Sequence, residues 1–305
     1  MHKYNISVVI PSTRAGESFD RCLKSALNQT YQIDKIYVVF NGPIVENFSS
    51  DYVINIKIID PRIEIICRSD VTTAPVARNI RLSYVDTELV HFLDDDDFIE
   101  VDFYENTISS FTKYSDVVGV SSSSKILSDD TGKIIGSSYR VKRNVTFNDL
   151  MIENYLGVTS GTVLQTKFVK KVNGFDESMP ARQDYLLWLR LSKLGDFRAL
   201  KNTSLIWTDH TKFKSISNNG DLDRHKKAII HMRSIKKELD GSYGLRLLKI
   251  ESNHQKYLAK ICKKNGNICF IWRGLMSFSL WPNISVLSVF ANKRMVSLAK
   301  DILQK

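Results

Sequence analysis

Four consecutive aspartates at the end of a short apolar run are the most informative chemical feature of this sequence. Residues 89–93 read LVHFL, and Asp94, Asp95, Asp96 and Asp97 follow them directly. Adjacent carboxylates repel one another by about 1 kcal/mol per close pair in water, and by several times more when they are partly buried. A divalent cation would remove this repulsion, and hard oxygen ligands suit Mg²⁺ or Mn²⁺. A solvated acidic loop before the next helix explains the pattern equally, so the residues alone leave both interpretations open.

A further carboxylate opens a helical segment much later in the chain. Gln183 and Asp184 begin the segment 183–194, in which leucines recur at helical spacing. An aspartate is favourable in the first turn of any helix, because its negative charge faces the positive end of the helix dipole. A carboxylate at this place can also act as a general base toward an acceptor hydroxyl. From residue types alone, the structural role is the simpler interpretation.

The elements that must position these carboxylates alternate between strand and helix in the first half of the chain. Apolar runs predict four strands, at residues 6–10, 35–40, 63–67 and 89–93. The first of these strands is expected to stop at Pro11. Apolar residues at helical spacing predict helices over residues 18–27 and 74–85. Strands separated by helices form right-handed βαβ units and a parallel sheet, and ligands bind outside the carboxyl ends of its strands. The four aspartates lie at such an end.

The middle of the chain mixes turn, strand and helix patterns. Two apolar segments, 117–127 and 133–136, flank the turn sequence Asp-Asp-Thr-Gly at 129–132 and predict a β-hairpin. A second turn is predicted at Asn173-Gly174. From about residue 221 onward the pattern becomes helical and basic.

The net charge of +10 is carried by the last part of the chain. Residues 219–305 contain 17 Lys and Arg against 6 Asp and Glu, a net charge of +11, whereas residues 1–218 contain 26 and 27, a net charge of −1. A basic segment of this kind favours an anionic partner, which can be a nucleic acid, an anionic membrane or an anionic substrate. The first 218 residues show no such preference.

One segment of the basic region has the composition of a membrane-surface helix. Residues 268–290 are apolar and long enough to resemble a transmembrane helix of about 20 residues, but Arg273 and Pro282-Asn283 would then face hydrocarbon. The segment also contains Trp272, Phe278 and Trp281. These aromatic side chains favour the headgroup boundary of an anionic membrane, with Lys and Arg on neighbouring turns. In the alternative interpretation, the apolar residues pack on the rest of the protein and the lysines stay solvated.

The remaining features are typical of a cytoplasmic protein. The amino terminus runs straight into the first strand, without the basic and apolar stretches of a secretion signal. The four cysteines are scattered, with no CxxC pair and no His at zinc spacing: Cys22, Cys67, Cys262 and Cys269. We therefore expect reduced thiols and a cytoplasmic location.

Taken in order, short motifs over roughly residues 5–215 resemble the family 2 inverting glycosyltransferases of GT-A fold. These motifs are VVIPSTR (8–14), LKSALNQTY (23–31), YVVFNG (37–42), ARN (77–79), DDDD as the family's DxDD (94–97), NGFDE (173–177) and QD (183–184). The resemblance implies an α/β fold with a central mixed, mostly parallel sheet flanked by helices. It further implies a catalytic domain over residues 1–218, with a donor half of about 1–115 and an acceptor half of about 116–218, and a helical basic region over 219–305.

The resemblance assigns donor-binding roles to residues in these motifs. Residues that would bind the donor nucleotide are Pro11, Thr13, Arg14, Asn41, Arg78 and Asp95. Asn41 would lie next to the uracil, and Arg78 near the base or the diphosphate. The family usually has Asp-Asp where this chain has Phe40-Asn41, so a carboxylate contact to uracil becomes an amide contact.

The resemblance also assigns the residues that would carry the chemistry. Asp96, with Asp94 beside it, would hold Mn²⁺ or Mg²⁺ on the donor diphosphate, and Asp184 would be the general base. His210 stands where many relatives carry a His close to the diphosphate or the metal, although a surface position explains it equally. Gln183 replaces the family's usual Glu, which leaves Asp184 as the only carboxylate of that pair.

The activity implied by the resemblance is transfer of a hexose, with glucose or galactose favoured, from a UDP-sugar to form a β linkage. The implied acceptor is a lipid-diphosphate-linked saccharide, such as GlcNAc-diphospho-undecaprenol, in bacterial O-antigen or surface polysaccharide synthesis. We therefore expect a peripheral protein on the cytoplasmic face of the inner membrane.

Two other classes of protein fit parts of the sequence. A sugar nucleotidyltransferase usually shows a Gly-rich, basic loop after the first strand, and residues 11–16 are too short for one. A nucleic-acid-binding protein would account for the basic tail but not for the aspartates, so no nucleic-acid partner is expected.

Overall fold

The computed structural model describes residues 3–42, 50–71, 73–114, 116–202, 204–209, 222–240, 246–264 and 266–280. The chain divides into two compact units. The first comprises Met1–Leu150, Asn154–Ser178 and Arg182–Phe213, and the second comprises Met151–Glu153, Met179–Ala181 and Lys214–Lys305. All the strands that the structure describes lie in the first unit.

Twelve strands are present in the described part of the chain. In order they are β1 (Ile6–Ser12), β2 (Lys35–Asn41), β3 (Ile63–Arg68), β4 (Leu89–Phe92), β5 (Phe98–Ile99), β6 (Gly119–Ser121), β7 (Ser124–Ser128), β8 (Ile134–Ser138), β9 (Asn144–Val145), β10 (Thr162–Gln165), β11 (Phe197–Ala199) and β12 (Leu205–Asp209). Eight form a sheet of order β3-β2-β1-β4-β10-β6-β11-β9, and four form a smaller sheet of order β5-β12-β7-β8.

The helices of the first unit are α1 (Glu17–Leu27), α2 (Ser50–Ile59), α3 (Ala74–Leu82), α4 (Phe103–Lys113), α5 (Phe147–Ile152), α6 (Thr166–Lys171) and α7 (Gln183–Ser192), with α5 ending in the second unit. Helix α1 buries Phe19, Cys22, Leu23 and Ala26, which share one face because they recur every three or four residues. Helix α3 has Pro75 in its first turn, where a missing N–H costs nothing.

The larger sheet is parallel in its first half and mixed in its second. Strand β1 pairs in parallel with β2 and with β4, and β2 pairs in parallel with β3. Strand β10 then runs antiparallel between β4 and β6. The seven residues of β1 are all buried, as expected for a parallel strand covered on both faces. This order brings the carboxyl ends of β1 and β4 next to the beginning of β10.

The second unit is helical in its described part. Its helices are α8 (Leu222–Asp240), α9 (Arg246–Lys264) and α10 (Cys269–Leu280). Helices α9 and α10 approach closely because small residues face each other: the Ser252 hydroxyl lies 2.7 Å from the Ser277 carbonyl oxygen, and Gly274 is also buried. None of the described helices is both long and apolar enough to cross a membrane.

The structure corrects two predicted elements and adds several. Strand β1 does not stop at Pro11 but runs through Ser12. Pro11 lies opposite Val39 of β2, and this parallel pairing does not need the backbone N–H that proline lacks. The predicted strand 117–127 is two strands in different sheets, separated by Ser122 and Ser123. The hairpin at 129–132 is present as β7 and β8. The sequence patterns did not indicate α2, α5 or the short strands β5, β9, β11 and β12.

Candidate active site

The four aspartates after β4 occupy four different environments. Asp94 forms an ion pair with the guanidinium of Arg78, which α3 presents from a buried position. The same guanidinium lies over the ring of Phe175, 5.0 Å from its centroid. Two independent contacts thus hold Arg78 against Asp94.

Asp95 is buried against the loop that follows β1. Its carboxylate lies 2.5 Å from the Ser12 hydroxyl and 3.2 Å from Nε of Arg14. Burial raises the pKa of Asp95 to about 6, although the charge of Arg14 opposes that rise. A second nitrogen of Arg14 lies 3.5 Å from the carboxylate of Asp96. The end of β1 and the loop that follows it are therefore tied to the aspartate motif by Ser12 and Arg14.

Asp97 faces inward, away from solvent. Its carboxylate accepts the backbone N–H of Thr208 at 3.1 Å, and the Thr208 hydroxyl donates to the carbonyl of Asp96 at 2.6 Å. Burial raises the pKa of Asp97 well above its ordinary value, and the nearby charges of Asp96 and Asp94 add to the rise. These contacts join the motif to β12 of the smaller sheet, so Asp97 serves the fold while Asp94 and Asp96 keep the more exposed carboxylates.

A buried polar network fixes the motif from below. His91 Nε2 lies 2.8 Å from the carbonyl oxygen of Ser160, and Nδ1 lies 2.8 Å from the hydroxyl of Tyr104. Burial lowers the pKa of His91 to about 4, so the ring is neutral at pH 7, with Nε2 donating to Ser160 and Nδ1 accepting from Tyr104. The Ser160 hydroxyl in turn accepts the backbone N–H of Asp94 at 3.1 Å.

The Asn-Gly-Phe-Asp-Glu turn is anchored on α3 by Asn79. The side-chain amide of Asn79 donates to the carbonyl of Phe175 at 2.8 Å and accepts its N–H at 2.9 Å. Gly174 has φ of 66°, and a side chain there would collide with Asn79. Asp176 of the same turn pairs with Arg190 of α7 at 2.8 Å. The turn therefore links α3 to α7.

Helix α7 carries Asp184 in its first turn, close to the aspartate motif. Its carboxylate accepts the N–H of Tyr185 at 2.7 Å. Burial raises the pKa of Asp184, the Tyr185 hydrogen bond and the charges of Arg182 and Arg78 oppose the rise, and the charge of Asp94 adds to it. Asp184 is thus within electrostatic reach of both Arg78 and Asp94. A carboxylate with a raised pKa suits proton transfer near neutral pH.

The other predicted nucleoside residues lie on β1 and β2, beside the motif. Pro11 is buried in β1, and Thr13 is exposed in the loop that follows. Asn41 is buried at the end of β2, where its side-chain amide donates to the carbonyl of Val71 at 3.4 Å. His210 lies outside the described residues.

A family model described as glycosyl transferase family 2 matches residues 7–168, which is just over half of the chain. The chain belongs to this family. The match includes β1, β4 and the four aspartates. Membership identifies the protein as a glycosyltransferase rather than a sugar nucleotidyltransferase.

Curated relatives of this glycosyltransferase include polysaccharide synthases. A chondroitin synthase of Pasteurella multocida is 23% identical over 242 residues, which cover 78% of this chain and 24% of the relative. The chain thus spans about a quarter of that synthase, and a hyaluronan synthase of Pasteurella multocida is covered to 21%. The Escherichia coli UDP-Glc:alpha-D-GlcNAc-diphosphoundecaprenol beta-1,3-glucosyltransferase WfgD is 25% identical over 222 residues, which cover 72% of this chain and 82% of the relative.

Solved glycosyltransferase structures share the fold. Residues 1–349 of Staphylococcus aureus TarS, in complex with UDP-GlcNAc, superpose with a TM-score of 0.58 at 12% identity, covering 92% of this chain and 89% of that one. The mannosyltransferase PcManGT from Pyrobaculum calidifontis, in complex with GDP-Man and Mn²⁺, gives a TM-score of 0.58 at 13% identity, with 99% and 80% covered. At these identities the likeness shows the fold, which is GT-A.

The glycosyltransferase offers two partly exposed carboxylates that fit a divalent metal, Asp94 and Asp96. Among the residues the structure describes, no three His, Cys, Asp or Glu side chains converge as a metal site. This donor set suits Mg²⁺ or Mn²⁺, which bind through one or two carboxylates and take their other ligands from phosphates and water. Arg78 and Arg14 form ion pairs with these carboxylates in the present structure. Their positive charge can also pair with a diphosphate.

Sequence reasoning missed the residues that connect the motifs. Ser160 gave no signal, because it lies 66 positions from Asp94 and meets it only through the strand order β4-β10. Tyr104 is near in sequence, but its contact with His91 depends on the packing of α4. Asn79 belonged to a recognised motif, but its bond to Phe175 joins residues 96 positions apart. No pattern in the sequence indicates such a pairing.

Proposed function

We propose that this family 2 glycosyltransferase moves a hexose from a UDP-sugar to a lipid-diphosphate-linked saccharide in bacterial O-antigen or surface polysaccharide synthesis. The observation that carries the proposal is the grouping of Asp184, Arg78 and Asp94 at the carboxyl edge of the sheet. A base, a cation and a candidate metal ligand are the groups that glycosyl transfer from a nucleoside diphosphate requires.

The donor is proposed to be a UDP-sugar, with glucose or galactose favoured. TarS was solved with UDP-GlcNAc and with UDP, and the Escherichia coli relative is named for UDP-Glc. The residues proposed to bind the nucleotide are Pro11, Thr13, Arg14, Asn41, Arg78 and Asp95. Of these, Asp95 acts through Arg14, which it orients with Ser12.

Asp94 and Asp96 are proposed to hold Mn²⁺ or Mg²⁺. When bound, the metal neutralises charge that develops on the leaving diphosphate. Arg78 and Arg14 already lie beside these carboxylates and add positive charge at the same place. His210, which lies outside the described residues, is proposed as a further contact to the diphosphate or the metal.

Asp184 is proposed to remove the proton of the acceptor hydroxyl. The acceptor oxygen then attacks the anomeric carbon from the face opposite the leaving diphosphate, so that an α-linked donor gives a β-linked product. The two bonds change in one displacement, and no covalent glycosyl-enzyme forms. The raised pKa of Asp184 strengthens it as a base relative to an ordinary carboxylate.

The acceptor is proposed to be carried on a lipid, and helix α10 is proposed to dock on an anionic membrane. The name of the Escherichia coli relative includes a GlcNAc-diphosphoundecaprenol acceptor. Helix α10 turns its small residues inward and a stripe of large apolar residues outward, at Ile268, Ile271, Trp272, Leu275 and Met276, with Ile268 just before the helix. Of these, Trp272 is 75% exposed. Such a stripe, in a unit rich in Lys and Arg, suits the headgroup region of anionic lipid.

The test is transfer from a panel of UDP-sugars to GlcNAc carried on an alkyl diphosphate, with the product linkage read by NMR. We expect one hexose donor to be used, a β linkage to form, and EDTA to abolish transfer until Mn²⁺ or Mg²⁺ is restored. Full activity in chelator would remove the metal from the proposal, and an α-linked product from an α-linked donor would remove Asp184 as the base of a single displacement.

A further inference from the structure

We propose that Arg140 forms an anion-binding subsite for the diphosphate of the acceptor, on the side of the aspartate motif opposite the nucleotide. This inference rests on the proposed function, because it assigns one residue to the acceptor of that reaction. It concerns a side chain that lies outside every motif of the sequence.

Arg140 is buried without an acidic partner. Only 7% of the residue is exposed. Its Nε donates to the carbonyl of Ser122 at 3.0 Å, and its backbone N–H donates to the Ser123 hydroxyl at 2.9 Å. The two terminal nitrogens of the guanidinium make no hydrogen bond to any residue that the structure describes, and no carboxylate of this set pairs with them. Burial lowers the pKa of Arg140 to about 10, and no neighbouring charge offsets the effect.

This arrangement is costly for a purely structural arginine. A buried cation loses hydration, and the loss is normally offset by a carboxylate or by several hydrogen bonds. Lys142, which lies two residues further along the same loop, is partly exposed and still pairs with a carboxylate, that of Asp149. Arg140 instead keeps two pairs of N–H groups available for an anion. A planar guanidinium binds phosphate through two parallel hydrogen bonds.

The surrounding backbone makes room for the guanidinium. Gly157 has φ of 82°, and a Cβ at this position would collide with the Arg140 guanidinium. A Cβ at Gly161 would lie 3.8 Å from one terminal nitrogen. The loop between these glycines contains Ser160, which bonds to the backbone of Asp94. Arg140 is therefore held against the same loop that supports the aspartate motif.

The strand order fixes the side on which Arg140 lies. Ser122 follows β6, and Gly161 precedes β10, which separates β6 from β4. Arg140 therefore lies about two strand spacings, or about 10 Å, from the end of β4. The nucleoside residues Pro11 and Asn41 lie on β1 and β2, beyond β4 in the other direction. An anion at Arg140 is thus separate from the donor diphosphate and lies on the flank left for the acceptor.

The experiment compares two acceptors with the full-length protein. One is GlcNAc joined to a decyl chain through a diphosphate, and the other is the same sugar and chain without phosphate. The variants are Arg140→Met, Arg140→Lys and, as a matched control, Arg143→Met, which removes an exposed positive charge from the same loop. UDP affinity and thermal stability of each variant are measured in parallel.

We expect Arg140→Met to raise KM for the diphosphate acceptor by at least about tenfold, which is the loss of one charge-assisted contact. KM for the neutral acceptor and the affinity for UDP should change by less than about twofold. KM of Arg140→Lys for the diphosphate acceptor should lie between those of the unmodified protein and Arg140→Met, because the ammonium keeps the charge but cannot form two parallel hydrogen bonds. Equal losses on the two acceptors, no loss, or the same loss in Arg143→Met would overturn the proposal.

A binding measurement separates this inference from the proposed function. Inorganic pyrophosphate is titrated by calorimetry into protein saturated with UDP. We expect a second, weak site in the unmodified protein and in Arg143→Met, and its loss in Arg140→Met. Absence of that site in the unmodified protein would refute the inference about Arg140. Failure of the protein to bind UDP or to transfer any sugar would refute the proposed function instead, and the pyrophosphate comparison would still report on Arg140.

Discussion

At the scale of single residues, the four neighbouring aspartates differ from one another because their burial and their hydrogen-bonding partners differ. Asp97 is buried and accepts a backbone N–H, whereas Asp94 and Asp96 lie beside arginines at the more exposed edge. Asp95 lies between these cases, since it is buried but orients Arg14. The sequence presents four equal carboxylates, and the structure leaves two of them partly exposed and buries the other two.

Substitutions at adjacent positions should separate these roles. Asp96→Asn is expected to lower activity by at least about tenfold, because even loss of a group that only orients a metal ligand costs that much, and it should not lower the free energy of unfolding. Asp97→Asn should keep activity and be as stable or more stable, because the amide still accepts the Thr208 N–H and removes a buried charge. Activity and urea denaturation are measured on both variants. Equal inactivation of the two would contradict this division.

Asp184 is expected to act on turnover and not on donor binding. Asp184→Asn should lower kcat by at least about a hundredfold, a typical contribution of a general base. Gln183→Ala, in the neighbouring position, serves as the control and should cost far less. UDP-sugar affinity is measured by calorimetry. If affinity falls together with kcat in Asp184→Asn, Asp184 binds the donor or supports the fold.

At the scale of elements, the site depends on contacts between segments distant in sequence. The aspartate motif directly follows strand β4, and Ser160 lies just before β10. The carbonyl oxygen of Ser160 bonds to His91 of β4, and its hydroxyl accepts the backbone N–H of Asp94. The turn at 174–177 joins α3 to α7 through Asn79 and Asp176. The first link fixes the aspartates, and the second fixes the helix that carries Asp184 through Arg190 in its last turn.

The neutral state of His91 makes the stability of this region dependent on pH. The pKa of His91 is lowered from 6.5 to about 4 by burial, so between these values the unfolded chain binds a proton that the folded chain does not. His91 contributes fully to the free energy of unfolding above pH 6.5. This contribution is lost as pH falls toward 4, by about 3 kcal/mol in total. His91→Gln keeps a donor and an acceptor but does not titrate.

We therefore expect His91→Gln to be less stable than the unmodified protein at pH 7.5, because its packing is poorer. The difference in free energy of unfolding should shrink as pH falls from 6.5 to 4. Chemical denaturation at pH 7.5, 5.5 and 4.5 measures it. A difference that stays constant over this range would show that His91 is protonated in the folded protein or does not contribute through its proton.

At the scale of the whole molecule, the positive charge and the exposed apolar stripe belong to the second unit. Residues 219–305 carry the net charge of +11, and α10 exposes Trp272 and Leu275. The first unit carries the site and almost no net charge. The proposed function assigns donor binding to the first unit and membrane docking to the second.

Membrane docking is tested by co-sedimentation with liposomes. The full-length protein should bind vesicles that contain anionic lipid, and binding should fall as salt screens the charges. Trp272→Ser with Leu275→Ser should abolish most binding, because both side chains lie on the exposed stripe. Ile58→Ser removes an apolar side chain that is 74% exposed on α2 and is the control. A full-length protein that stays in the supernatant at low salt, or an equal loss in the control, would refute docking by α10.

The sequence by itself determined the features that depend on short stretches of chain. Burial of β1 and β4, the amphipathic face of α1 and the turn at Asn173-Gly174 follow from patterns of a few residues, and local preferences act over that distance. The order of the motifs along the chain was enough to indicate the family and hence the GT-A fold. The aspartate motif and Asp184 were recognised as site residues in the same way, and their catalytic roles remain predictions.

Only the tertiary structure decided which of these residues meet and which are buried. Pairing of β10 with both β4 and β6 brings Ser160 to Asp94. The same loop, residues 157–161, contacts the guanidinium of Arg140 at Gly157. Burial then makes His91 neutral and turns Asp97 into a support for β12. Contacts between residues tens of positions apart, and the loss of solvent that changes a pKa, depend on strand order and packing, which short sequence patterns do not encode.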